Sequence, residues 1–322
     1  MCGIAVLSLS SPKELRESLQ TSLARRGPDS LQTTVSSDCW LCGAVLSIQG
    51  YSPTPQPVLD DSGNALLWNG EVFGPSDLSP EGDECDTLLV ARLLAGAVGD
   101  ALDPEDGARR VAAALGRVEG PFAFVFLCGR LGALFCGRDP IGRRSLLAVR
   151  DEGTNLIGLA SVSVECGDSK LTWEELPPHG VVFCSLSPGP WQPATVPWPS
   201  RPCSLGRLPA NLEVPRLGED AAATAFLETL EAALRRRLRR LATGPDHQTC
   251  RVGVLFSGGV DSALLAAVLS RCLPQDEPID LINVSFFGGG GSTESPSPDR
   301  LAGIACLLEL QVSTPALSLY LP

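Results

Sequence analysis

Apolar residues in the first half of the chain fall in short unbroken runs, the pattern of strands buried on both faces, and are separated by segments of helical spacing. Residues 4–9 predict a first buried strand. Ser10-Ser11-Pro12 predicts a helix start, with serine as cap and proline in the first turn. That helix runs to Leu23, and Arg25-Arg26-Gly27-Pro28-Asp29 then turns the chain. Residues 40–49 and 64–68 predict two short strands on either side of a proline-rich loop, Ser52 to Pro57. Next come a helix over 87–97, capped by Asp86-Thr87 and with Leu88, Leu89, Leu93 and Leu94 on its apolar face, and another over 103–118. From Gly120 the pattern returns to strands: 122–127, 133–136, 145–149, 156–160 and 180–185. Clustered strands with grouped helices predict α+β layers for residues 1–185.

Residues 186–217 are proline-rich without sustained periodicity and predict an extended linker. A helix over 219–242 follows, with Phe226, Leu227, Leu230, Leu234, Leu238 and Leu241 as its stripe. Arg235, Arg236, Arg237, Arg239 and Arg240 crowd its last turns, where positive charge suits the helix dipole. A nearly all-apolar run, 251–256, leads through Ser257-Gly258-Gly259-Val260-Asp261-Ser262 into a helix over 263–273 and a second buried strand, 280–287. Strand, loop, helix, strand is a βαβ unit and predicts a parallel sheet of about two strands in residues 218–322. Beyond it lie Gly288–Gly291, a Ser/Pro-rich loop and a helix over 299–311.

At 322 residues the chain has length for two domains, and 44% hydrophobic with 19% charged residues is a globular composition. A formal charge of −12 speaks against nucleic acid as a partner, because phosphate contacts need clustered Lys and Arg. No apolar run approaches the ~20 residues of a membrane helix. The amino terminus has neither the layout of a secretory signal nor the second-position glycine of a myristoylation signal. The 12 cysteines therefore read as reduced thiols of a cytoplasmic protein. Cys39-x-x-Cys42 has no second pair nearby, and the chain has only two histidines, so no metal site is expected.

Three stretches carry chemistry. Removal of Met1 would leave Cys2 with a thiol and a free α-amine, a nucleophile with its own base, although a second-position cysteine is equally an ordinary structural thiol. Asn69-Gly70, at the end of a strand, is a turn signal, and its side-chain amide and backbone N–H are also suitable oxyanion donors. The Ser257–Ser262 loop sits at the carboxyl end of a strand and opens a helix, where a parallel sheet binds ligands. Its glycines let backbone approach a polyphosphate. It lacks the lysine of a Walker A loop.

Ser257-Gly258-Gly259-Val260-Asp261-Ser262 resembles the pyrophosphate loop of the ATP pyrophosphatases. Met1-Cys2-Gly3-Ile4, Arg26-Gly27-Pro28-Asp29, Asn69-Gly70-Glu71-Val72-Phe73, Gly120-Pro121-Phe122-Ala123-Phe124 and Gly137-Arg138-Asp139-x-x-Gly142 resemble, in this order, the motifs of class II glutamine amidotransferases. Together they are similar to glutamine-hydrolysing asparagine synthetase. The resemblance implies an N-terminal-nucleophile amidotransferase domain of αββα layers over 1–185, a Pro-rich linker over 186–217, and an incomplete α/β ATP pyrophosphatase domain over 218–322. It implies that Cys2 attacks the side-chain amide of glutamine, that Asn69 and Gly70 hold the oxyanion, and that Asp86 binds glutamine's α-amine. The released ammonia would aminate aspartate activated by ATP with Mg2+, bound at Leu255, Ser257, Gly258, Gly259, Asp261, Ser262 and Val284. Two departures stand out. Val45 occupies the position of the family's carboxylate-binding arginine, and a valine cannot make that bidentate contact. The second half lacks the family's later loop and aspartate pocket, so we expect a truncated product. Three readings follow: a synthetase-like enzyme, a glutaminase-only protein, and a non-catalytic or regulatory homologue.

Overall fold

The computed structural model describes residues 1–48, 52–75, 77–78, 84–151, 155–167, 170–186, 191–199, 218–239, 250–274, 277–284, 297–313 and 317–320. The chain divides into two compact units, Met1–Ala210 and Asn211–Pro322.

In the first unit the elements run β1 (Gly3–Ser8), α1 (Lys13–Ala24), β2 (Ser30–Ser36), β3 (Cys39–Val45), β4 (Val58–Leu59), β5 (Ala65–Gly70), α2 (Asp86–Val98) and α3 (Pro104–Gly116). They continue β6 (Phe122–Cys128), β7 (Ala133–Arg138), β8 (Leu147–Asp151), β9 (Asn155–Ala160), β10 (Leu171–Glu175), β11 (Gly180–Ser185) and β12 (Ala194–Pro197). The strands form two sheets, ordered β10-β8-β9-β1-β3-β2 and β12-β11-β7-β6-β5-β4. Their unbroken apolar runs are explained by burial on both faces. On β6, Ala123, Val125 and Leu127 point into the layer between the sheets, while Phe122, Phe124 and Phe126 pack under α2 and α3. On β1, Ile4 and Val6 face the other sheet, while Ala5 and Leu7 pack beneath Leu15, Leu19 and Leu23 of α1. The order is therefore helix, sheet, sheet, helices: the αββα layering expected of this region.

Several local expectations are corrected. No serine caps α1; Pro12 holds the cap position without a side-chain bond, and the Ser8 and Ser10 hydroxyls pair with each other at 2.8 Å. Asp86 does not cap α2 either. It is the helix's first residue, and the fully buried stripe is Asp86, Thr87, Val90, Leu94 and Val98, with Leu89 and Leu93 packed at its margin. Asp103 does cap α3, accepting from the Asp106 N–H at 2.8 Å. Strand β2 has no counterpart among the predicted elements, because it is polar and its Leu31 and Val35 are exposed. Its whole length pairs with β3 across a hairpin whose Ser37 and Asp38 both take positive φ, +47° and +60°. Strands β4, β10 and β12 are also additions. β12 lies inside the stretch expected to be linker and pairs with β11 at the sheet edge, where Pro197 is tolerated.

The second unit contains α4 (Glu219–Leu238), β13 (Val252–Leu255), α5 (Val260–Cys272), β14 (Ile279–Ile282), α6 (Pro298–Ser313) and β15 (Leu317–Tyr320). Strands β13 and β14 pair in parallel, as the βαβ pattern requires. β15 adds a third parallel strand beside β14 where two were expected. Phe256, Ala266, Leu269, Ile279 and Leu281 form the core, with Leu234 and Leu238 of α4 against it. Phe226, read as part of the α4 stripe, is exposed. Leu241, Arg240 and Gly288–Gly291 lie outside the described residues. No described helix is long and apolar enough to cross a membrane.

Candidate functional site

The first site is a cleft of about 50 Å³ walled by Cys2, Val45–Ile48, Gln56, Trp68, Gly70, Glu71 and Asp86 among others. Cys2 enters it from the start of β1, and its thiol donates weakly to the Leu46 carbonyl at 3.7 Å. The turn after α1 fixes that wall. A Cβ on Gly27 would lie 2.2 Å from the Ala44 carbonyl, so only glycine lets the turn close on β3. Asp29 then donates its N–H to the Val45 carbonyl at 3.0 Å and accepts from the Ser47 N–H at 2.7 Å. Arg26 ties the same turn to the start of β1. Its Nη1 donates to Ser145 Oγ at 3.0 Å and to the Ser161 carbonyl at 2.8 Å, while Ser161 exchanges bonds with the Ile4 backbone.

The opposite wall is the end of β5. Gln56, buried in the proline-rich loop, clamps the Trp68 backbone in both directions: Oε1 accepts from its N–H at 2.7 Å and Nε2 donates to its carbonyl at 3.0 Å. Beyond Gly70 the chain leans on the Gly120 turn, where a Cβ would lie 1.8 Å from the Glu71 carbonyl oxygen. Asp139, fully buried, holds that turn by accepting from the Phe122, Ile141 and Arg143 N–H groups at 3.0–3.1 Å. Arg143 adds an ion pair to Asp139 and a bond to the Gly120 carbonyl at 2.6 Å. The glycine and aspartate motifs read from the sequence thus act by placing Gly70 and Glu71.

Of the residues singled out for this site, Cys2, Gly70, Asp86 and Val45 share the cleft wall. Asn69 does not line it. It is 1% exposed, on the same face of β5 as Ala65 and Leu67, and its Nδ2 is buried without a hydrogen-bond partner. An orphaned buried donor is costly. Asp86, 4% exposed, accepts from the Val72 N–H at 2.6 Å.

Burial pushes the Cys2 thiol above its ordinary value, with Glu71 acting in the same direction and the amino terminus and Arg144 opposing. Burial lowers the terminal amine, helped by Arg26 and Arg144. Burial thus favours the neutral form of both the Met1 amine and the Cys2 thiol. Burial and Arg144 also lower the Arg26 guanidinium, whose Nε and Nη2 are buried without partners. Sequence reasoning did not assign Gln56 or Arg144 to the site. Gln56 lies in a loop with no periodic signal, and Arg144 is one of several arginines in a turn.

The second site is the loop after β13. Leu255 at the strand end is 77% exposed, and Val284, beyond β14, is 51% exposed. Gly258 takes φ +82° and leaves 2.5 Å between a would-be Cβ and the Ala302 backbone. Gly259 is the N-cap of α5, which has no side-chain cap, and Ser262 Oγ donates to the Gly259 carbonyl at 2.9 Å. Asp261 lies exposed in the first turn. Uncapped N–H groups at a helix start, approached through glycines, are the chemistry of an anion cradle. Asn283, 1% exposed, pins the strand end to α6 by donating to the carbonyls of Phe256 at 2.8 Å and Asp299 at 3.3 Å. No group of three or more His, Cys, Asp or Glu suited to a metal ion occurs among the described residues.

The asparagine synthase family model matches residues 225–305. Asparagine synthetase domain-containing protein 1 of Bos taurus is 27% identical over 369 aligned positions, covering 89% of this chain and 56% of that protein. The root glutamine-hydrolysing asparagine synthetase of Pisum sativum is 28% identical, covering 85% of this chain and 43% of that protein. Among solved structures, the glutamine phosphoribosylpyrophosphate amidotransferase of B. subtilis is 14% identical, with a TM-score of 0.47 over 61% of this chain and 49% of that one. The chain thus spans about half the length of these curated relatives. It is related over most of its length to asparagine synthetase domain-containing protein 1, and its residues 225–305 carry the asparagine synthase pattern.

Proposed function

We propose that this chain is a glutamine-hydrolysing, asparagine synthetase-like protein in which Cys2 releases ammonia for the ATP-dependent amidation of aspartate. The observation that carries the reading is that Cys2, Gly70 and Asp86 wall one cleft, with the unpartnered Asn69 amide buried on the neighbouring residue of the strand. With Met1 removed, the Cys2 amine accepts the thiol proton, and the sulfur attacks the side-chain amide carbon. The Asn69 amide and the Gly70 N–H stabilise the oxyanion, while Asp86 anchors the α-amine. The proton passes to the leaving nitrogen, ammonia departs, and water cleaves the resulting thioester.

In the second unit, the αβ loop belongs to an ATP pyrophosphatase-type domain. Ser257, Gly258, Gly259 and Ser262 would hold the ATP phosphates at the start of α5, with Asp261, Leu255 and Val284 completing the nucleotide site, and Mg2+ would neutralise phosphate charge there. The glycine approach and uncapped helix start support this. One observation favours a second reading, a non-catalytic homologue: Val45, 5% exposed, stands in the cleft where a cation for the glutamine α-carboxylate would be expected. Ammonia release from amide substrates by the purified chain, compared with Cys2→Ala, decides between them. Release that disappears in the variant supports the enzyme; equal background from both supports the non-catalytic homologue.

A further inference from the structure

We infer that the Cys2 cleft selects a glutamine whose α-carboxyl is neutralised as an amide, as at the N-terminus of a peptide, over free glutamine. The inference rests on the reading of Cys2 as an amide-attacking nucleophile. Apart from Cys2, every wall residue comes from residues 44–57 and 65–87. Those segments contain no Lys, Arg or His, and the wall itself carries the carboxylates of Glu71 and Asp86, while Asp77 and Glu84 are paired with Arg117 and Arg92. An α-amine finds Asp86 in such a wall. An α-carboxylate finds Val45 and the wall carboxylates of Glu71 and Asp86, which repel it.

The cations near Cys2 do not repair this. Arg26 and Arg144 act on the thiol and the terminal amine, yet neither is part of the cleft wall, and the unpartnered N–H groups of Arg26 Nε, Arg26 Nη2 and Arg144 Nε are buried. The wall instead suits a neutral carbonyl. Thr54 Oγ1 accepts from the Cys85 thiol at 3.0 Å and Thr87 Oγ1 from Gln56 at 3.4 Å, so each hydroxyl proton is left to donate.

The chemistry balances with water as the only co-reactant. The Cys2 sulfur–carbon bond forms as the side-chain carbon–nitrogen bond breaks, and the thiol proton leaves with the nitrogen as ammonia. Water then attacks the thioester, the carbon–sulfur bond breaks, and a proton returns to the thiol. The product is a peptide headed by glutamate.

The test uses the full chain with Met1 loss confirmed by mass. It measures kcat/KM for L-glutamine, its α-N-methylamide, a C-terminally amidated peptide headed by glutamine, and the N-acetylated form of that peptide. The methylamide and the free-amine peptide are expected to exceed glutamine by about ten- to a hundredfold, the worth of a lost charge-assisted contact. N-acetylation should remove the advantage, and Val45→Arg should shift preference back toward free glutamine by at least about tenfold. The wild-type comparison holds even if that variant does not fold. Free glutamine turned over as well as or better than the amides overturns the inference and leaves the amidohydrolase reading standing, as does an acetylated peptide that reacts equally well. No release from any substrate, with Cys2→Ala indistinguishable, overturns both.

Discussion

Asn69→Leu separates a catalytic group from a structural one, because the two roles predict opposite signs for stability. The Asn69 side chain is 1% exposed and its Nδ2 has no partner. A buried unsatisfied donor costs about 1–3 kcal/mol. Leucine has the same branching at Cγ as asparagine, with bulkier methyls, and carries no polar group, so it removes that cost in the apolar layer shared with Leu67 and Val125. The variant should therefore unfold at the same or higher urea concentration, with a gain of up to about 1–3 kcal/mol. If Nδ2 is an oxyanion donor, the same change should slow ammonia release about 100- to 1000-fold, roughly 2.7–4 kcal/mol of transition-state stabilisation. Tryptophan fluorescence suits the stability arm, since Trp40, Trp68, Trp173, Trp191 and Trp198 all lie in the first unit. A variant destabilised by more than about 1 kcal/mol, well outside the expected gain, with turnover unchanged, would refute the reasoning.

Other perturbations address separate parts of the structure. Gly120→Ala places a methyl 1.8 Å from the Glu71 carbonyl oxygen, so the first unit should lose about 1–3 kcal/mol and ammonia release should fall with it; a fully stable, fully active variant would contradict the placement. Gly258→Ala meets both a positive φ and the Ala302 backbone, so nucleotide protection of the second unit against proteolysis should disappear while turnover at Cys2 is unaffected. Burial raises Cys39, Cys42 and Cys184 to about 12 and Cys136 in the same direction. Their folded values exceed the unfolded ones, so the stability they contribute is complete below about pH 9 and is lost as pH rises toward 12. For three thiols the loss is roughly 4 kcal/mol per pH unit. The tryptophan-monitored urea midpoint should fall steeply between pH 9 and 11, and a flat profile would show that the thiols are not buried as described.

What the sequence revealed and what it hid follow from the kind of interaction involved. The strands of the double sheet were legible because burial on both faces leaves unbroken apolar runs, as in Phe122–Leu127. Strand β2 was not, because backbone pairing alone holds it and its side chains face solvent. β12 was hidden by Pro197 and the prolines on either side of the strand, and an edge strand tolerates Pro197. At the site, glycines and aspartates that recur as motifs were readable, and the structure gives several of them a mechanical role: Gly27, Gly120 and Asp139 set the walls. Gln56 was invisible, since a clamp on the Trp68 backbone depends on a fold contact rather than on any local pattern. Asp86 was misread as a helix cap because an acidic residue at a helix start satisfies that rule. Its carboxylate turns to Val72 and the cleft instead.

The central claim is that Cys2 is a nucleophile activated by its own α-amine, and the presence or absence of Met1 tests it within one polypeptide. The chain is isolated with Met1 retained, half of it is trimmed by a methionine aminopeptidase, and ammonia release from the glutamine-headed peptide and from free glutamine is measured on both. The account predicts release only from the trimmed protein, rising with pH as the Cys2 amine loses its proton. Equal release from the trimmed and untrimmed proteins, or none from either, would contradict it.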